Sequence, residues 1–150
     1  MLFRSDRDLE TLVALGVRTV VDLRSTVEVE TRRNRLPEGV ETLHLPVHDV
    51  SAAPTSIVDR IAAGETEGLG APMLLQGNAF FATDGAPVFR AVLDVLTDPQ
   101  RWPVVVHCTA GKDRTGFAVA ALLWMLGADD ETVLTDYLRT NESMVGRHRE

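Results

Sequence analysis

Apolar positions along this chain switch repeatedly between helical and strand-like spacing. Leu9, Leu12, Val13 and Leu15 follow helical spacing and Gly16 supplies a stop, which predicts a first amphipathic helix. Val17 to Leu23 is rich in β-branched residues and predicts a buried strand. Ser25 or Thr26 can cap a short charged helix running to about Arg33, and Pro37-Glu38-Gly39 marks a turn. From Glu41 to Val47 the period becomes two, with Leu43, Leu45 and Val47 on one face of a second strand. Pro54 to Ile61 predicts another short helix, and Gly64 to Gly70 a linker too short to separate domains. Ala71 to Phe81 is weakly helical. Gly85 to Leu96 is more strongly so, with Val88, Phe89, Val92, Leu93 and Leu96 inward. Val104-Val105-Val106 predicts a third, buried strand. Phe117 to Leu126 predicts an apolar helix that Gly127 ends, with one more helix after it.

This alternation predicts an α/β fold with a mainly parallel central sheet flanked by helices, built as one domain over residues 1–150. A hydrophobic content of 45% is enough apolar surface for one core. Trp102 and Trp124 are expected to serve as packing residues. No apolar run reaches the ~18 residues of a membrane span, so no integral membrane segment is expected. Arg4, Asp6, Arg7, Asp8 and Glu10 predict no secretory leader and a cytoplasmic setting. A single cysteine excludes an intrachain disulfide. The net charge of −7 argues against nucleic acid as a partner and requires any anion site to be locally basic.

Such a site is written after the third strand, in His107-Cys108-Thr109-Ala110-Gly111-Lys112-Asp113-Arg114-Thr115-Gly116. Strand, tight loop and helix in succession aim backbone N–H groups and a helix N-terminus at one point, which favours an anion there. Cys108 at that point is favoured as thiolate, the nucleophilic form. Arg114 can offer a planar fork to two phosphate oxygens. Thr115 can give its hydroxyl to the sulfur and make it a better leaving group. His107 is expected to bond nearby backbone and hold the loop's shape. Thr109, Ala110, Gly111, Lys112 and Asp113 complete the phosphate cradle, with Gly111 and Gly116 allowing conformations or close approaches that a Cβ would hinder.

Other readings of these residues fare worse. A nucleotide-binding P-loop needs glycine where Val106 stands and Ser or Thr where Asp113 follows the lysine. Structural zinc needs more than one cysteine or a paired histidine spacing, so no metal and no cofactor are expected. Two readings remain as rivals: a phosphate-binding module that does not turn over, and a sulfurtransferase or arsenate reductase. The latter pair fit poorly, because the loop carries a Lys-Asp-Arg-Thr tail and the chain has no second cysteine.

The loop resembles that of the bacterial atypical tyrosine phosphatases, and three more stretches are similar to the same family: Leu2 to Ser5, Leu15 to Ser25 and Asp136 to Glu142. The resemblance implies a cysteine-dependent phosphatase fold. It implies hydrolysis of phosphotyrosine, sometimes phosphoserine or phosphothreonine, and phosphoinositides. The partners would be a phosphorylated protein or a phosphoinositide, and the intermediate a phosphocysteine on Cys108. Members carry a segment before the Arg-Ser pair and continue past the last helix, so the resemblance also implies a chain shortened at both ends; because relatives include secreted proteins, it leaves export open beside the cytoplasmic setting. The proton for the departing oxygen has two candidate sources. Asp49 aligns with an aspartate after the family's second strand, and Asp113 sits in the loop itself. Asp22 and Arg24 end the first strand near the site, as a salt bridge or as substrate contacts. Arg32, Arg33 and Arg35 read as a solvated face or as contacts to an anionic surface.

Overall fold

The computed structural model describes residues 5–47, 64, 67 and 70–145. Leu2 to Arg4, Asp49 and the predicted helix over Pro54–Ile61 lie outside the described residues. Three strands form the sheet: β1 (Thr19–Asp22), β2 (Glu41–His44) and β3 (Val104–His107). Their order is β2-β1-β3 and both pairings are parallel, with Thr19 opposite Glu41 on one side and Val104 on the other. The α/β architecture with a parallel sheet is therefore as the alternating pattern predicts.

Helix α1 (Asp6–Ala14) starts in a capping box: the Asp8 N–H donates to Ser5 Oγ, and the Ser5 N–H donates to Asp8 Oδ2. Helix α2 (Thr26–Thr31) uses the same device with Ser25 and Glu28. It stops short of Arg33 because Arg32 leaves helical geometry, and the Arg32 carbonyl is taken by Arg24 Nη1 at 2.7 Å. Next come α3 (Ala71–Ala82) and α4 (Ala86–Thr97), each with proline in its first turn, where a missing N–H costs nothing. After β3 follow α5 (Asp113–Met125), α6 (Asp130–Leu138) and α7 (Thr140–Val145). Among the described residues no helix is long and apolar enough to cross a membrane.

The central strand is buried along its whole length, and its alternating side chains feed two cores. Val20 joins Leu12 of α1 and Val17, with Leu36, Val40 and Val105 packed against them. Val21 and Leu23 face the larger core of Val47, Phe81, Phe89, Val92, Cys108 and Ala118. There Phe81, Phe89 and Phe117 form a three-ring cluster with centroids 4.6–5.6 Å apart. Helix α4 packs through Val88, Phe89, Val92, Val95 and Leu96. Val95 takes the place that the predicted stripe assigned to Leu93, because a 3.6-residue period brings position 95 onto the face of 88 and 92.

Trp102 and Trp124 are not core residues: they are 51% and 52% exposed. Each keeps its apolar ring at the surface and anchors its N–H. Trp102 donates to the Leu96 carbonyl at 2.8 Å and Trp124 to Asp130 Oδ1 at 2.9 Å.

Candidate active site

Cys108 follows β3 directly and belongs to the larger core, only 2% exposed, whereas Thr109, Ala110 and Gly111 after it face solvent. Helix α5 begins at Asp113 with no side-chain cap on its N-terminus. Burial works against a thiolate at Cys108. The Thr115 hydroxyl and backbone N–H, the Arg114 charge and the Gly111 N–H outweigh it, and the thiol titrates below its ordinary range. Thr115 Oγ1 is buried and has no well-aligned hydrogen-bond partner among the described residues. It nevertheless acts on the sulfur. Ionising Cys108 is what would supply this orphaned hydroxyl with an acceptor. Gly111 adopts φ +71°, which lets the loop turn without Cβ strain.

Arg114, at the start of α5, is buried and points its fork at Glu28 of α2. Nη1 donates to Oε2 at 2.7 Å and Nη2 to Oε1 at 2.9 Å; Nη1 also reaches the Leu23 carbonyl at 3.3 Å. Thr109 donates its hydroxyl to Glu28 Oε1 and lies 3.4 Å from Arg114 Nη2. Burial pushes the Glu28 carboxyl up, but hydrogen bonds from Arg114, Thr109 and the Ser25 N–H hold it down at about 2. A carboxylate thus sits on the two donors that the sequence assigns to phosphate. Nothing in the sequence marks Glu28 for this. Its spacing from Ser25 signals a helix cap, and the contact to Arg114 spans 86 residues.

Beneath the loop lies a second polar group. Asp22 and Arg24, each almost fully buried, make a multidentate ion pair with contacts of 2.6–3.1 Å. They are a structural pair, which decides between the two roles expected of them. Arg24 Nη2 also donates to Asn34 Oδ1 at 3.0 Å, and the Arg24 carbonyl accepts from His44 at 2.8 Å. Asn34 Nδ2 lies 3.0 Å from Asp22 Oδ2 and 2.9 Å from His107 Nε2. His107 Nδ1 is 3.1 Å from the Cys108 carbonyl, the backbone contact expected of it. Burial holds the His107 pKa below its ordinary value, outweighing the pull of Asp22.

At the loop's end, Lys112 Nζ is 3.7 Å from Asp113 Oδ1, both side chains partly exposed. Tyr137 of α6 closes over the first turn of α5: a Cβ on Gly116 would stand 2.8 Å from its ring. Burial, with the Asp113 carboxylate as a lesser contributor, raises the Tyr137 pKa. Arg32 and Arg33 are exposed, and Arg35 pairs with Asp6 at 2.8 Å on the surface. Asp113 is thus placed at the loop; Asp49 lies outside the described residues. Among the described residues no three His, Cys, Asp or Glu side chains gather as a metal site.

Comparisons with known proteins give the family to which such a loop belongs. The model of the tyrosine phosphatase family matches residues 2–150. The triple specificity protein phosphatase PtpB of Mycobacterium tuberculosis is 34% identical, aligned over 95% of this chain and 62% of its own length. A Cupriavidus necator protein is 31% identical over 92% of this chain and 50% of its own. A tyrosine-protein phosphatase of Nostoc commune is 26% identical, over 97% and 48% respectively. The chain therefore spans about half to three-fifths of the length of these relatives. With a family match over nearly its whole length and a cysteine-arginine loop at the carboxyl end of a parallel strand, this chain belongs to the tyrosine phosphatase family.

Proposed function

We propose that the chain forms a single phosphatase domain that hydrolyses phosphate monoesters, phosphotyrosine foremost, through a phosphocysteine. The observation that carries this reading is the buried Cys108 thiol held toward its thiolate beside Thr115 and Arg114. In the first step the Cys108 sulfur attacks phosphorus and the phosphorus–oxygen bond to the alcohol or phenol breaks. An acid, Asp113 or Asp49, gives the departing oxygen its proton. The N–H groups of Thr109 to Arg114 hold the equatorial oxygens, and Arg114 joins them by exchanging the Glu28 carboxylate for phosphate. Water then attacks the phosphocysteine. Inorganic phosphate leaves, and the thiolate is restored with help from the Thr115 hydroxyl. No step requires a metal or a cofactor.

The mycobacterial relative's description as a triple-specificity enzyme supports a substrate range wider than one phosphoamino acid. We place phosphoserine, phosphothreonine and phosphoinositides in that range. A single nucleophilic cysteine works best where thiols stay reduced, which supports a cytoplasmic setting.

Turnover of an aryl phosphate in EDTA, beside Cys108→Ser with its fold checked, tests this reading. Hydrolysis by the natural chain and none by the variant is the expected result. Equal rates in both would overturn it. Saturable phosphate binding with no turnover by the folded natural chain would instead favour a binding module.

A further inference from the structure

The polar group beneath the loop assigns donors and acceptors without ambiguity. The Cys108 carbonyl can only accept, so the contact at 3.1 Å requires a proton on His107 Nδ1. Arg24 can only donate, so the atom of Asn34 facing its Nη2 at 3.0 Å is the amide oxygen. The other end of Asn34 is then its NH₂, whose two hydrogens meet Asp22 Oδ2 at 3.0 Å and His107 Nε2 at 2.9 Å. Asp22 Oδ2 is itself 3.5 Å from Nε2, too far for a good hydrogen bond.

We infer that Asn34 is a positioning residue: by donating to Nε2 it holds His107 as the neutral, Nδ1-protonated tautomer, whose N–H ties down the Cys108 carbonyl at the start of the phosphate loop. The amide cannot flip, because a flipped Asn34 would face Arg24 with hydrogens and both Asp22 and His107 with lone pairs. Its segment cannot drift either. Arg24 holds the Arg32 carbonyl on one side, and Leu36 packs on the smaller core on the other.

Of the charged groups around the ring, Asp22 pulls toward the protonated imidazole and Arg24 opposes it. Asp22 faces it from β1. Arg24 neutralises Asp22 through its multidentate pair and is held at its own carbonyl by His44 of β2. Burial outweighs the pull of Asp22 and favours the neutral ring. Asn34 thereby transmits the geometry of the Asp22–Arg24 pair to the residue that carries the nucleophile. Nothing local in the sequence announces it, since the contact to His107 spans 73 residues.

The test is the ring nitrogen spectrum of His107 at neutral pH, read by long-range nitrogen–proton NMR on the ¹⁵N-labelled full chain and assigned by the signals lost in His107→Gln. The expected spectrum has pyrrole-type Nδ1 and pyridine-type Nε2. In Asn34→Asp the donor becomes an acceptor, and the pyridine-type signal should be lost as Nε2 takes up a proton. In Asn34→Ala the single tautomer should give way to a mixture. A natural chain with Nε2 protonated overturns the inference, and needs no variant to fold. A folded Asn34→Asp with an unchanged ring spectrum overturns it too, since a purely structural asparagine would leave the ring as it was. The consequence for catalysis rests on the phosphatase reading. The ring spectrum does not require turnover, so failure of one is distinguishable from failure of the other.

Discussion

Glu28 offers the most direct quantitative test of the site, because its interaction with Arg114 is bidentate and is the foremost of the hydrogen bonds that lower its pKa. Its carboxyl is held at about 2 against an ordinary 4.5. At roughly 1.4 kcal/mol per pKa unit the difference is worth about 3 kcal/mol. Solvent reaches a third of the side chain (32% exposed), and screening brings the contribution to about 2 kcal/mol. Glu28→Gln keeps the shape and removes the charge, leaving Arg114 buried without its counter-ion. Urea unfolding at about pH 7 should then show a loss of ~2 kcal/mol at unchanged denaturant slope. The pH dependence has a definite sign. A carboxyl whose folded pKa is depressed stabilises the fold fully above its unfolded pKa, and that stabilisation fades as pH falls toward the folded value. The gap between natural chain and variant should therefore be full above pH ~4.5 and less than half as large by about pH 3. An unchanged midpoint at neutral pH, or a gap that does not narrow on acidification, would refute the assignment of Glu28 as the partner that holds the Arg114 fork.

Three further outcomes are expected. Alkylation of Cys108 by iodoacetamide should inflect below the ordinary thiol pKa of about 8.5, and Thr115→Val should move the inflection upward; coincident profiles would remove the hydroxyl from the account. Gly116→Ala should cost ~1–3 kcal/mol by thermal unfolding, with part of the loss relieved in a Tyr137→Ala background, because the new methyl meets that ring; an identical loss in both backgrounds would count against the contact. Asp113→Asn and Asp49→Asn separate the candidate acids. Loss of the acid should slow phenyl phosphate hydrolysis by roughly 100- to 10,000-fold and nitrophenyl phosphate hydrolysis far less, since a nitrophenolate leaves without a proton. Small, equal losses in both variants would exclude both aspartates.

What could be read in the sequence was local. The chemistry of Cys108, Arg114 and Thr115 lies within eight residues. The strand before and the helix after them follow from β-branched and apolar runs, so the loop, the parallel sheet and the placement at a strand's carboxyl end were legible, though the strand order was not. Ser25 was legible as a cap for the same reason. The partners that complete the site were not. Glu28 reaches Arg114, and Asn34 reaches His107, only after the sheet has brought distant segments together. Their residue types, a helical glutamate and a loop asparagine, have ordinary uses where they stand. The end of α2 was missed because a tertiary contact, Arg24 to the Arg32 carbonyl, outcompetes local helix propensity. The place of the tryptophans was not legible, because size and aromaticity do not distinguish a core ring from a surface ring anchored by its N–H.

The carboxyl end of β1 meets the loop on several fronts at once. Leu23 N–H binds the His107 carbonyl, the Leu23 carbonyl accepts from Arg114, and Asp22 and Arg24 hold Asn34. The ten residues from His107 to Gly116 are therefore not a portable cassette. Grafted alone onto another parallel sheet, they would carry the nucleophile without the scaffold that orients it. A transplant has to move the end of the neighbouring strand, Glu28 and Asn34 together. By the same coupling, replacements at Asp22, Arg24, Asn34 and His107 should combine non-additively, and their tolerated partners are best sought as joint sets.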